Sequence, residues 1–236
     1  MPDVLIAPAK LTLSLRMTGL RDDGYHLIDA EMVTLDLHDT LELAEGDGLE
    51  IVGGAPDVPV DDDNLVRRAL RTAGRTAHVR LEKRIPSGAG LGGGSSDAAA
   101  ILRWAGVTDL DLAARIGADV AFCLVGGRAR VTGIGEVVEP LPFEPRTVTL
   151  LTPPLHCSTP AVYRAWDELG GPTAEGPNDL EPAALVVQPE LARWRDELGD
   201  ATGQTPILAG SGSSWFVEGA YPGDGRVVAH TVPAAT

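Results

Sequence analysis

Apolar and polar positions alternate through much of the first half of the chain. Leu11, Leu13 and Leu15 are separated by polar residues, so Val4 to Leu15 reads as two short strand-like runs on either side of Pro8. Arg21-Asp22-Asp23-Gly24 is a turn signal. Alternation resumes from Ile28 to Leu43 through Met32, Leu35, Leu37 and Leu41 and predicts β structure. A loop is expected from Gly53 to Pro59, after which Asp63 or Asn64 caps a helix ending near Ala73. Val79, Leu81 and Ile85 form another alternating strand, stopped by Pro86. Beyond a Gly/Ser loop come a helix from about Ser96 to Trp104 and a short one over Leu110 to Ile116. An apolar stretch follows at Val120 to Val125, and then a hairpin over Arg128 to Leu141 that turns at Gly133-Ile134-Gly135.

The second half predicts a strand at Thr147 to Leu151, a helix from about Thr159 to Leu169 and a loop to Pro177. Asn178-Asp179 opens a further helix, another runs from Pro189 to Leu198, and a strand is expected at Trp215 to Glu218 after a Gly/Ser turn. Strands and helices in mixed, non-alternating order argue for an α+β fold rather than a doubly wound parallel sheet. The proline cluster at Pro140 to Pro145 marks a domain boundary, giving units 1–145 and 146–236.

Composition narrows the function. The net charge of −15 excludes the broad basic surface that a nucleic-acid polymer requires, while leaving room for a small anion held by backbone amides. Among 19 basic residues only Lys10 and Lys83 are lysines, so a compact ammonium is retained at two places. Cys123 and Cys157 lie far apart with no metal-type spacing, which reads as two ordinary reduced cysteines. Met1-Pro2-Asp3 lacks a basic region before an apolar stretch, and no run is long enough to span a bilayer. No signal peptide and no membrane association are expected, and the location is expected to be cytoplasmic.

The strongest chemical signal is Pro86-Ser-Gly-Ala-Gly-Leu-Gly-Gly-Gly-Ser-Ser-Asp97 between a strand and a helix. Successive glycines let consecutive N–H groups converge on an anion, and the helix adds its positive end. Ser95 and Ser96 offer hydroxyls to a phosphate or Mg2+, and Asp97, in the first helical turn, faces the same way. Three other readings compete. Gly88, Gly90 and Gly93 spell a dinucleotide fingerprint, but the alternating strand that ends at Pro86 is unlike the continuously apolar strand such a site needs. A Walker A loop lacks its lysine at Gly94-Ser95. A flexible glycine turn seldom joins a strand directly to a helix.

Pro8-Ala-Lys10, the Pro86–Asp97 loop and Gly210-Ser-Gly-Ser-Ser214, in that order, resemble the three motifs of the GHMP kinases. Further strings extend the likeness over nearly the whole chain, among them RDDGYH, DDDNLV, IGADVAF, GIGE and NDLEPAA. The similarity is greatest to the branch that phosphorylates a sugar-alcohol hydroxyl of a CDP-linked substrate with ATP and Mg2+ in non-mevalonate isoprenoid synthesis. It implies the two-domain GHMP kinase fold, with a ribosomal protein S5 domain 2-like N-terminal domain and a ferredoxin-like α/β-sandwich C-terminal domain, as a monomer or homodimer.

Position by position, the resemblance implies that Lys10 and Asp119 form the catalytic pair. ATP would be held by Asn64, Lys83, Pro86, Ser87, Gly88, Ala89, Gly90, Leu91, Gly92, Gly93, Gly94, Ser95 and Ser96, with Ser96 also near Mg2+. Substrate would meet Thr12, Tyr25, His26, Asp119, Tyr163, Gly210 and Ser211, with Tyr25, His26 and Tyr163 around the base. Alone, Lys10 would be a surface lysine, His26 a turn histidine, Asn64 a helix cap and Lys83 a strand-edge charge. Thr12 stands where the family often has asparagine. The segments from Ala99 to Leu112 and after Glu218 are shorter than usual and are expected to be peripheral to the chemistry. A kinase of another small alcohol and a non-catalytic nucleotide-binding paralogue are the competing functions.

Overall fold

A long antiparallel hairpin, β1 (Asp3–Leu20) and β2 (His26–Ala44), forms the spine of the protein in a computed structural model that describes residues 3–53 and 59–234. Pro8 does not divide the first strand. The register shifts between Pro8 and Lys10 and again between Thr12 and Ser14, so bulges absorb the proline and the ladder continues. These bulges also change which way the strand faces. Ala7 and Leu15 lie in one apolar cluster, whereas Ala9 and Leu11 between the bulges lie in a second. The parity of Ala9–Thr12 is thereby inverted relative to its flanks.

β2 carries three partners besides β1. β4 (His78–Lys83), β5 (Arg128–Gly133) and β10 (Arg226–Val232) pair with successive parts of its length, and β3 (Gly48–Gly53) extends the sheet by pairing parallel to β4. β6 (Val137–Leu141) returns along β5 as the expected hairpin. The loop expected at Gly53 to Pro59 falls, for 54–58, outside the described residues; Gly53 itself ends β3, a strand the patterning did not reveal. α1 (Leu65–Thr72), α2 (Gly93–Trp104), α3 (Leu110–Ile116) and α4 (Val120–Val125) pack on one face of this sheet around the larger cluster. The second cluster, on Leu11, Val33, Leu35, Leu150 and Phe216, also holds Ile85, Ala89 and Leu91.

The rest of the chain supplies β7 (Thr147–Leu151), α5 (Thr159–Glu168), α6 (Glu181–Val187), α7 (Leu191–Thr202), β8 (Ile207–Leu208) and β9 (Trp215–Glu218). The segment after Glu218 carries structural weight. It forms β10, which pairs with β7 over five residues and with β2 through Thr231 and Val232, joining both halves into one ten-stranded sheet. A second tie lies at Asp179, whose carboxylate accepts hydrogen bonds from Arg16 Nη1 at 2.7 Å and Met17 N at 2.9 Å in β1.

Candidate active site

The Gly/Ser loop lies on the second apolar cluster and forms one wall of a cleft of about 620 Å3. Its residues alternate between core and cleft. Ala89 and Leu91 are buried, while Gly88, Gly90 and Gly92 turn to the cleft with φ of 67°, 76° and 67°. A Cβ on Gly90 would stand 2.1 Å from the Ala209 carbonyl oxygen, so only glycine lets this loop approach the turn at Gly210. α2 begins at Gly93, three residues earlier than the patterning predicts, and Gly92 caps it without a side-chain hydrogen bond. Its first N–H groups are therefore open to an anion. This earlier start also moves Asp97 out of the first turn.

Leu91 and Ser96 depart from the expected nucleotide contacts. The Leu91 side chain is core, though its carbonyl accepts from Lys10 N at 3.0 Å. Ser96 is fully buried and its Oγ donates to the Pro8 carbonyl at 2.5 Å, so Ser95 is the hydroxyl that faces the cleft.

Between the bulges of β1, Lys10 and Thr12 point into the cleft, opposite in direction to Ala9 and Leu11. Lys10 Nζ lies 3.2 Å from Asp119 Oδ2 and donates to Thr12 Oγ1 at 3.1 Å. Asp119 immediately precedes α4 and keeps a third of its side chain accessible, while Lys10 is buried. Thr12 thus serves as an acceptor for the lysine ammonium.

Lys83 is not a strand-edge charge. It is buried between Asp39 and Asp97, with Nζ donating to Asp39 Oδ2 and, at 2.8 Å, to Asp97 Oδ2. Burial pulls its pKa down, but the two carboxylates more than offset this and hold it above the usual lysine range. Asp39 Oδ1 additionally accepts from the backbone N–H of Arg84 and Ile85, at 2.5 and 2.8 Å. Asp97 Oδ1 has no partner among the described residues. Burial, with the charge of Asp39 adding to it against the pull of Lys83, lifts the Asp97 carboxyl to about 7. Asn64 lines the cleft, yet its Oδ1 caps α1 through Val66 N at 2.8 Å and its Nδ2 donates to Pro59 O at 2.7 Å.

At the far end of the cleft α5 presents Tyr163, Trp166 and Asp167 on one helical face to the β1–β2 turn. The ring of His26 lies 5.0 Å from Tyr163, tilted 49°, and meets Trp166 edge-on at 5.7 Å. No base fits between His26 and Tyr163, since two stacked contacts need roughly 7 Å. Tyr25, 57% exposed, is the other aromatic face on the cleft. Burial, aided by the Asp119 charge, pushes the Tyr163 hydroxyl up to about 12, so it stays protonated. Gly210 and Ser211 border the same region, with Ser211 Oγ 2.8 Å from Thr159 Oγ1.

Comparison with known proteins places the chain among its relatives. Residues 64–127 match the family described as GHMP kinases N terminal domain. A 4-diphosphocytidyl-2-C-methyl-D-erythritol kinase from Paracoccus denitrificans is 40% identical over 235 residues, covering 89% of this chain and 84% of that protein. A crystal structure of 4-(cytidine 5'-diphospho)-2C-methyl-D-erythritol kinase superposes with a TM-score of 0.76 at 32% identity, covering 97% and 99% of the two chains. The chain belongs to the 4-diphosphocytidyl-2-C-methyl-D-erythritol kinase family of GHMP kinases. A homoserine kinase from Cytophaga hutchinsonii, at 20% identity and a TM-score of 0.62, shares the fold, covering 99% of this chain and 96% of that one.

Within this kinase family member, several residues around the cleft escaped sequence reasoning. Asp39 lies in an alternating strand where nothing local marks it as the partner of Lys83. His156, in the β7–α5 connection, packs over Gly88, where a Cβ would stand 2.4 Å from its Nδ1. Asn178, expected to open a helix within the NDLEPAA string, has a further role. Its Nδ2 donates to the carbonyls of Leu208 and Gly210 at 2.8 and 2.7 Å while Oδ1 accepts from Leu180 N, which fixes the Gly210 turn against α6. Cys123 and Cys157 are both free and buried, and burial pushes the Cys123 thiol up to about 12. No helix among the described residues is long and apolar enough to cross a membrane.

Proposed function

We propose that this kinase transfers the γ-phosphoryl group of ATP in line to the 2-hydroxyl of 4-diphosphocytidyl-2-C-methyl-D-erythritol, as the names of its relatives indicate. The observation that carries the assignment of roles is the Lys10–Asp119 contact of 3.2 Å, at the meeting of the glycine loop and the aromatic end of the cleft. In this reading Asp119, with Oδ2 on Lys10 and its other oxygen unshared, orients the acceptor hydroxyl and takes its proton. Lys10, steadied by Thr12, stabilises the charge that develops on the transferred group. The amides of Gly88 to Ser95 hold the phosphates, and Tyr25 and Tyr163 flank the base while His26 reads its edge.

Both cleft lysines already face carboxylates, Lys10 one and Lys83 two, so the side chains alone carry little positive charge toward a nucleotide. This supports Mg2+ entering with ATP. The Ser95 hydroxyl and the unpartnered Oδ1 of Asp97 are oxygen donors suited to it, and the ion would neutralise phosphate charge. We assign ATP binding to unit 1–145 and the closing face with Tyr163 and Gly210 to unit 146–236.

ADP release measured with ATP, Mg2+ and the cytidine-linked alcohol, present or absent, tests this reading. Turnover should require the alcohol, and Lys10→Ala or Asp119→Asn should each lower it by roughly 10²–10⁴-fold with the circular dichroism spectrum retained. Near-normal turnover in either variant would overturn the assigned roles, and release only with a different alcohol would overturn the substrate.

A further inference from the structure

His26 reaches its place through an interaction that lies outside the catalytic pair and the phosphate loop. Its Nε2 is 2.8 Å from Asp167 Oδ1, across 141 positions of sequence, and its side chain is only 12% exposed. An ionised carboxylate can only accept, so the imidazole must donate from Nε2. In the neutral ring the second nitrogen, Nδ1, is then a hydrogen-bond acceptor. Among the described residues Nδ1 has no hydrogen-bond partner, and His26 lines the cleft beside Tyr25 and Tyr163. Trp166, pinned by its own Nε1 to the Pro172 carbonyl at 3.0 Å, meets the ring edge-on, and Tyr163 packs on its other side. The ring is thus restrained in place and in tautomer by three residues of one helix face.

We infer that Asp167 is a positioning residue that sets base specificity: it fixes the His26 tautomer so that Nδ1 accepts a hydrogen bond from an amino group on the edge of the bound base. An amino-bearing pyrimidine satisfies that nitrogen. A pyrimidine with a carbonyl at the same place sets two acceptors against each other and is rejected, because a buried polar atom left unpaired is costly. The inference rests on the reading that this end of the cleft receives the pyrimidine of the substrate.

Asp167→Asn supplies the decisive test, because an amide can donate its N–H to Nε2 and drive the ring proton to Nδ1. Two quantities are measured in the full-length protein: kcat/KM for the cytidine-linked alcohol and its uridine-linked counterpart, and the 15N chemical shifts of His26 in the free protein. The wild-type protein should show the Nε2–H tautomer and prefer cytidine. Asp167→Asn should show Nδ1–H and reduce the cytidine-to-uridine ratio at least tenfold, mostly through KM. Asp167→Ala, which imposes no tautomer, should fall between the two. An unchanged ratio in Asp167→Asn overturns the inference, and so does an Nδ1–H tautomer in the wild type. If the wild-type protein turns over neither compound, the substrate reading fails instead, and the 15N shifts still decide whether Asp167 sets the tautomer.

Discussion

Replacing Asp97 by asparagine would expose the energetics of the buried charge group beneath the Gly/Ser loop. The Asp97 side chain is 3% exposed, gives Oδ2 to Lys83 and leaves Oδ1 unpartnered among the described residues. Burial raises its carboxyl from 3.8 to about 7, a change worth roughly 4 kcal/mol at 1.36 kcal/mol per tenfold step in acidity. The folded pKa lies above the unfolded one, so between about pH 4 and 7 the folded state keeps a proton that the unfolded chain has released. Stability from this group therefore falls as pH rises through that window and is level above it. Asparagine carries no charge and still offers an oxygen to Lys83. Urea unfolding followed by circular dichroism at pH 5, 6, 7 and 8 should show the two proteins converging at low pH, with Asp97→Asn more stable by up to about 4 kcal/mol at pH 8. Parallel stability profiles would refute the reasoning, as would a wild-type protein that gains on the variant as pH rises.

Three further outcomes follow from the same geometry. Gly90→Ala places a Cβ 2.1 Å from the Ala209 carbonyl oxygen at a φ of +76°, so the loop must shift; KM for ATP should rise at least tenfold in steady-state assays. Asn178→Ala removes three buried hydrogen bonds, two of them to carbonyls around the Gly210 turn, and should lower stability by about 2–4 kcal/mol while raising KM for the alcohol more than for ATP. Asn64→Ala removes the α1 cap and should cost about 1 kcal/mol in thermal or urea unfolding with kcat little changed, which separates a capping role from a nucleotide contact.

Local features were read correctly because their causes are local. Asn64 caps α1 through a contact two residues away, the Gly133 to Gly135 turn closes its hairpin, and helix α3 begins and ends where its pattern does. The glycine-rich turn into a helix was legible because successive glycines permit the φ > 0 that such a turn requires. Pro8 misled because a bulge in a paired strand removes the conflict that would end an isolated one. Strands β3 and β10 were missed because each owes its conformation to a distant partner, β4 in one case and β2 with β7 in the other.

By itself, then, the sequence determined the α+β order of elements, the glycine-rich turn into α2 and the family to which its spaced motifs belong. Only the tertiary structure decided that Lys10 meets Asp119, that Lys83 is held between Asp39 and Asp97, that Ser95 rather than Ser96 faces the cleft, and that Asp167 holds His26. Each of these choices joins side chains set by separate elements. Sheet register, the β1 bulges on either side of Lys10 and Thr12, and the packing of α2, α4 and α5 select the partners, and none of these is encoded in the residues nearest to the ones they bring together.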